Sequence, residues 1–260
     1  MFDSQGYFVP SHDLTYFAYP PTKFYKLNLP DPQDVIDNIS TIYSVDKQCL
    51  SKKLDEIVAK ITSDPLLPNL INGPFVPFYL PYSSISDIGT RLTDEILPTL
   101  SEAFKATDPR AHFKAVIQDK QQLNHRILPA PASGYPALMD ANSTSALFGF
   151  YFPIVFNQFS VSSQRKAFSK IKSDLQICLS GPLEICSSIV ASPKLLIHRE
   201  SYSPILNMSG AQHVDDRLTC CIKSYGPHLE FWVLTNNLMP GVEQVSEQWA
   251  GGLTVYTQLS

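Results

Sequence analysis

The sequence lacks the short glycine-rich motifs with which many nucleotide-binding enzymes hold phosphate groups. None of its 11 glycines belongs to a G-x-G-x-x-G or Walker motif, so the usual cradle of backbone N–H groups is missing. The G-x-S-x-G turn, the H-E-x-x-H and C-x-x-C zinc spacings and the EF-hand loop are also absent. These absences argue against the common nucleotide-binding, hydrolase and zinc-binding classes, although a site assembled from distant positions leaves no such motif.

Charge is scarce and slightly negative. Charged residues make up 17% of the chain, against about a quarter in typical globular proteins. The formal net charge is −4 and no run rich in lysine and arginine occurs, whereas nucleic-acid binders usually carry a basic excess. We therefore expect no nucleic-acid partner. The 44% hydrophobic content is that of a folded protein, because disordered chains are poor in apolar residues.

Long apolar stretches are missing as well. The longest is Ala146–Phe156, which is shorter than the about 20 residues that a membrane-spanning helix needs. The first residues lack the basic start of a signal peptide, and neither end carries a lipidation motif. The five cysteines are odd in number and do not predict a disulfide framework. Together these features predict a cytoplasmic location and no membrane partner.

Helical patterns are expected to dominate residues 31–123. Asp31 followed by Pro32 resembles a helix N-cap with proline in the first turn. Apolar residues at helical spacing, such as Leu50, Leu54 and Ile57, predict an amphipathic helix. The Asp108-Pro109 pair repeats the N-cap signal and predicts another helix, with Phe113, Val116 and Ile117 facing inward.

The second half of the chain is richer in strand patterns. Strands are predicted at Leu195–His198, Leu218–Tyr225, His228–Thr235 and Leu253–Tyr256, and a hairpin is predicted around Gly181-Pro182. The overall pattern predicts an α+β fold in which a helical N-terminal half packs with a mostly antiparallel, β-rich C-terminal half. We expect one domain over residues 1–260. The alternative is a division into a helical part with an extended N-terminal arm, 1–128, and a β-rich part, 135–260.

The strongest candidate for a chemical site is the polar segment 209–217. His213 and Asp215 alternate, so in an extended segment both side chains point the same way. Such a pair could hold a divalent metal or act as a base and its orienting carboxylate, with Asp216 in support and Arg217 holding an anionic group. The alternative is a polar turn in which an aspartate caps backbone N–H groups and Arg217 pairs with a carboxylate.

A second cluster contains His198 and Glu200, which alternate in the same manner. If the two segments were neighbouring strands, His198, Glu200, His213 and Asp215 could form a four-ligand metal site. The alternative is that they are two unrelated strand ends. A divalent metal is the one cofactor that the residues suggest.

Two segments rich in aromatic residues and proline, Tyr7–Tyr25 and Phe75–Tyr82, suggest a different kind of site. Large aromatic side chains gain most of their stabilisation from burial, so packing onto the body is one interpretation. The other is a docking surface for a partner.

Two functions therefore remain open from the sequence. The first is an intracellular enzyme, a hydrolase or lyase with or without a metal cofactor, that uses the cluster at 213–217. The second is a non-catalytic protein that binds a small molecule or a protein partner through the aromatic, proline-rich segments. The sequence does not determine the ligand, the reaction or the oligomeric state.

Overall fold

The computed structural model describes residues 1–17, 25–117, 122–198, 201–235 and 244–259. Helix accounts for 32% of it and strand for 25%, and most of the strand pairs are antiparallel. The expected α+β class is confirmed. Across these described ranges, no helix has the length and apolar character needed to cross a bilayer.

The helices begin at the kinds of residue that favour helix starts. Asp31 and Asp46 accept hydrogen bonds from the backbone N–H groups of Gln33 and Gln48 and so cap the first two helices. Pro98 stands in the first turn of a later helix, directly after a π-helical turn at Leu92–Ile96. The helices are α1 (Pro32–Tyr43), α2 (Lys47–Ser63), α3 (Ile88–Arg91), α4 (Leu97–Lys105), α5 (Tyr135–Asn142), α6 (Val161–Phe168) and α7 (Pro182–Ala191).

The strands form a four-stranded, a five-stranded and a two-stranded sheet, with orders β1-β4-β11-β5, β10-β6-β8-β9-β2 and β3-β7. In the five-stranded sheet, β10 runs parallel to β6 and β2 runs parallel to β9, while the other neighbours are antiparallel. The strands are β1 (Val76–Leu80), β2 (His112–Ile117), β3 (Ile127–Pro129), β4 (Leu147–Phe152), β5 (Ile177–Leu179), β6 (Ile205–Asn207), β7 (Ala211–His213), β8 (Leu218–Tyr225), β9 (His228–Thr235), β10 (Trp249–Gly251) and β11 (Leu253–Gln258).

The core lies around the four-stranded sheet. Strand β4 is central in it, and all six of its residues are buried. Helices α1, α2 and α7 pack against its strands. The N-terminal segment joins this core, since the buried ring of Phe8 contacts the rings of Phe156 and Phe159. Phe8 is therefore a core residue, whereas Tyr16 in the same segment is 38% exposed.

In the five-stranded sheet, strand β8 is buried on both faces, whereas strand β9 is fully buried on one face only. In β9, Leu229, Phe231 and Val233 are buried, whereas Glu230 and Trp232 between them are half-buried. The pattern of alternating burial is that of a strand with one face against the core. In the run Leu229–Leu234 only Glu230 is polar, which predicts that most of both faces are covered, and the burial pattern corrects this expectation.

Three local predictions were wrong. Gly181-Pro182 begins helix α7 and does not turn a hairpin, because Glu184 accepts a hydrogen bond from the N–H of Gly181 and caps the helix start. The Asp108-Pro109 pair forms a turn before β2. Residues 195–198 form turns and loop. Since β1 and β2 lie within residues 31–123, the predicted helical N-terminal half is only loosely supported.

Candidate functional site

The cluster at 213–217 forms a compact turn after β7. His213 is 3% exposed, and its Nδ1 accepts a hydrogen bond of 2.9 Å from the N–H of Asp215. The side chain of Asp215 binds Arg217 through both oxygens, at 2.9 and 2.6 Å. The Arg217 guanidinium lowers the pKa of Asp215 to about 2. These contacts are those of the polar turn that the sequence left as the alternative, and the catalytic and metal-binding roles of the cluster stay predictions.

Asp216 is exposed beside this turn. The outer-shell role that the sequence suggested for Asp216 stays a prediction.

The proposed metal ligands are only partly described, because Glu200 lies outside the described residues. His198 lies in a loop after α7, and the imidazole bonds to the backbone of Lys26. Burial lowers the pKa of His198. Within the ranges that the structure describes, no group of three or more histidine, cysteine, aspartate or glutamate side chains is placed to hold a metal ion.

A buried polar cluster around Glu184 escaped the sequence analysis. Glu184 is fully buried, and its two oxygens accept hydrogen bonds from the N–H of Gly181 and the hydroxyl of Tyr135, at 2.6 and 2.9 Å. Thr254 donates a third, at 3.2 Å. Burial raises the pKa of Glu184 to about 7. This cluster joins α5, α7 and β11, and its contacts are those of a structural junction.

The cysteines are free thiols. Cys220 and Cys221, at the start of β8, are both buried, and burial raises the pKa of the Cys221 thiol to about 12. A thiol with so high a pKa is a poor nucleophile near neutral pH. These two cysteines are therefore better interpreted as buried core residues than as nucleophiles.

A groove lined by tyrosines lies at one end of the five-stranded sheet. Tyr202 and Tyr225 are 64% and 51% exposed, and Tyr25 lies beside Tyr202, with ring centroids 6.3 Å apart. The groove has a volume of about 290 Å³. We call it the tyrosine groove, and its lining residues are Tyr25, Tyr202, Ser203, Ile205, Lys223, Ser224, Tyr225 and Gln248.

Strand β8 places a lysine in this groove. Lys223 and Tyr225 are two positions apart on one strand and so share a face of the sheet. Lys223 is 6% exposed. The Nζ atom lies 3.1 Å from the ring centroid of Trp232 and 4.4 Å from that of Tyr225, and it donates a hydrogen bond to the Tyr225 hydroxyl.

No carboxylate neutralises Lys223 among the described residues. Glu230 stands opposite Lys223 on β9, but no ion pair joins them, and Glu230 instead accepts a hydrogen bond from the indole of Trp232 at 2.8 Å. The ammonium has three N–H groups, of which one bonds to Tyr225. A buried cation is costly unless it is paired, and aromatic rings attract the charge without cancelling it.

The N-terminal segment contributes to a second groove, of about 230 Å³. Pro204 lines this groove while its neighbours Ser203 and Ile205 line the tyrosine groove, so the two lie on opposite sides of residues 203–205. Tyr25 lines both. The second groove is lined by Tyr7, Tyr25, Lys26, Leu27, Leu29, Pro74, Ile154, Asn157, Pro204 and Glu247.

The sequence pattern points to Tyr25, as part of an aromatic segment, but not to Lys223 or Tyr202. A signal for Lys223 was present, since Cys221, Lys223 and Tyr225 alternate within a predicted strand and must share one face. The approach of Tyr202 and Tyr25 depends on tertiary structure, and the sequence carries no local sign of it.

The comparisons with known proteins return no relative: no protein-family model, no curated protein and no solved structure matches this chain.

Proposed function

We propose that the protein is a non-catalytic binding protein and that the tyrosine groove receives an acidic side chain of a partner protein. The observation that carries the proposal is Lys223, a buried cation without a carboxylate partner at the base of a groove. A carboxylate placed in the groove would neutralise the ammonium and accept hydrogen bonds from its remaining N–H groups.

The tyrosines support a protein partner. Tyrosine combines a large apolar ring with a polar hydroxyl and is enriched among the residues that dominate the energy of protein interfaces. Tyr202 and Tyr225 flank the groove and are exposed, so they are free to cover an inserted side chain. The volume of the groove, about 290 Å³, lies at the lower end of the range for small-molecule pockets. A groove of this size suits a single side chain better than a larger ligand.

The enzyme hypothesis has less support. The His213–Asp215–Arg217 contacts are internal to one turn, and the buried Glu184 cluster is bonded among its own side chains and backbone. Neither set of contacts resembles a general base that faces a substrate cavity.

Selection of short random peptides on the purified protein tests the proposal. We expect the selected peptides to be enriched in aspartate or glutamate at one position. The Lys223→Met variant keeps the length and apolar stem of the side chain, so it should fold while losing the acidic preference. Lys114→Met is the matched control, because Lys114 is an exposed lysine of β2 outside the groove.

The tyrosines provide an independent check on the same peptides. Tyr202→Ala should weaken peptide binding by about tenfold, as expected for loss of an interface aromatic. Tyr82→Ala should have no effect, since Tyr82 is 56% exposed and does not line the groove. Selection of peptides without an acidic residue, or an acidic preference that survives in Lys223→Met, would refute the proposal.

A further inference from the structure

A larger cavity, distinct from both the tyrosine groove and the second groove, lies between the end of α7 and the turn that joins β8 to β9. It has a volume of about 980 Å³, within the range of sites for small molecules. None of its lining residues lines the tyrosine groove. We call it the lysine cleft, and its lining residues are Asn28, Thr107, Asp108, Arg110, Lys194, Ile197, His198, Gly226 and Pro227.

The charges that line the lysine cleft are mainly positive. Arg110 forms a two-point ion pair with Asp108, with bonds of 3.0 Å to each oxygen, and these two charges cancel. Lys194 is exposed and has no carboxylate partner among the described residues. Among the described lining residues, this leaves the positive charge of Lys194 uncompensated, on a chain whose net charge is −4.

Neutral polar groups surround these cations. The His198 imidazole bonds to the backbone of Lys26, while its Nε2 is buried and has no hydrogen-bond partner among the described residues. Asn28 contributes an amide that can both donate and accept. Ile197 and Pro227 add apolar surface to the walls. Gly226, in the turn, has no neighbouring atom within 4 Å of the position that a Cβ would occupy. A ligand can therefore approach the backbone there.

We propose that the lysine cleft binds a soluble phosphorylated small molecule, with Lys194 contacting the phosphate. An ammonium group binds phosphate strongly, through charge-assisted hydrogen bonds. The amide of Asn28 is suited to the hydroxyl groups of the same molecule. The cleft is several times larger than a phosphate ion requires, which argues for a ligand with a body of about sugar or nucleotide size.

Calorimetric titration of the full chain with ribose 5-phosphate and with ribose tests this proposal. Ribose 5-phosphate should bind saturably at one site, and ribose should not bind measurably. Lys194→Ala should weaken binding by about tenfold, because a hydrogen bond to a charged group is lost, and Lys194→Arg should restore most of it. Lys172→Ala is the matched control, since Lys172 is exposed and does not line the cleft.

Two further arms decide among the other outcomes. Sedimentation with phosphatidylcholine vesicles that contain phosphatidic acid tests whether the phosphate belongs to a lipid, and binding to these vesicles without binding to ribose 5-phosphate would overturn the proposal. Equal affinity of wild type and Lys194→Ala for ribose 5-phosphate, or no saturable binding, would overturn it as well. Lys194 is exposed, and circular dichroism will confirm that its variants remain folded. Lys223→Met should leave this binding unchanged.

Discussion

At the scale of single residues, Glu184 and Lys223 are both buried but have different surroundings. Glu184 is surrounded by donors, with hydrogen bonds from Gly181, Tyr135 and Thr254. Lys223 has aromatic neighbours and one hydroxyl. The first is satisfied within the chain and the second lacks a counter-charge. This contrast is why we assign Glu184 to the structure and Lys223 to binding.

The pKa of Glu184 makes the stability of the protein depend on pH. Burial raises this pKa from 4.5 to about 7, so between these values the folded state holds a proton that the unfolded state releases. The stabilisation is fully present below pH 4.5 and is lost as the pH rises through 7. We expect the free energy of unfolding to fall by about 1.4 kcal/mol per pH unit across this window from Glu184 alone.

Denaturant titrations at a series of pH values measure this slope. Glu184→Gln retains an acceptor for Gly181 and should remove the Glu184 component of the slope. Glu102→Gln, at an exposed glutamate of α4, is the control and should keep it. The account of the Glu184 cluster is wrong if the Glu184→Gln and wild-type slopes agree.

At the scale of elements, close backbone contacts join the strands to the loops around them. Gly210, just before β7, donates to the carbonyl of Ser180 and accepts from the N–H of Ala130. A Cβ atom at position 210 would lie 2.2 Å from the carbonyl oxygen of Leu179. The segment that leads into β7 therefore requires glycine for steric reasons.

Substitution of two glycines separates steric overlap from backbone strain. Gly210→Ala should lower the free energy of unfolding by about 3 kcal/mol, because the overlapped atom belongs to the backbone. Gly226 has a φ of +57° and no atom within 4 Å of the Cβ position, so Gly226→Ala should cost about 1 kcal/mol through left-handed strain alone. Thermal unfolding of the two variants provides the comparison, and equal losses would show that the contact at Gly210 is not tight.

Element prediction from the sequence succeeded where the signal was local. The N-cap at Asp31, the amphipathic pattern of α2 and the long strands β8 and β9 all follow from neighbouring residues. The start of α7 was misread because a Gly-Pro pair serves equally in a turn and in the first turn of a helix. Its cap by Glu184 is stabilised by Tyr135 and Thr254, which are distant in sequence.

The candidate site was harder to predict than the elements. His213 and Asp215 stand out in the sequence because they alternate. The sequence does not show that Asp215 binds Arg217 or that His213 is buried. The tyrosine groove joins residues from four separate segments: Tyr25, Tyr202 with Ile205, Gln248, and Lys223 with Tyr225. Only the last of these carries a local pattern.

At the scale of the whole molecule, the N-terminal segment is part of the core. Phe8 is 6% exposed and contacts the rings of Phe156 and Phe159. Phe8→Ala should therefore lower the free energy of unfolding by about 4 kcal/mol, as for other buried phenylalanines. Tyr16 stacks on Phe159 but is 38% exposed. Tyr16→Ala should therefore lower the free energy of unfolding by only about 1 kcal/mol.

Equilibrium denaturation of both variants tests this role of the segment. A loss below about 1 kcal/mol for Phe8→Ala would show that the segment adds little to the core. The segment would then be better regarded as a docking arm, as the alternative interpretation of its sequence had it.

The central claim is that Lys223 binds an acidic side chain of a partner, and a double-mutant cycle tests it most directly. The best peptide from the selection and its acid-to-amide analogue are each titrated against wild type and Lys223→Met. The account predicts a coupling free energy of about 2 kcal/mol between the peptide acid and Lys223, as for a close charge pair in an interface. A coupling near zero, with the peptide still bound, would contradict the account.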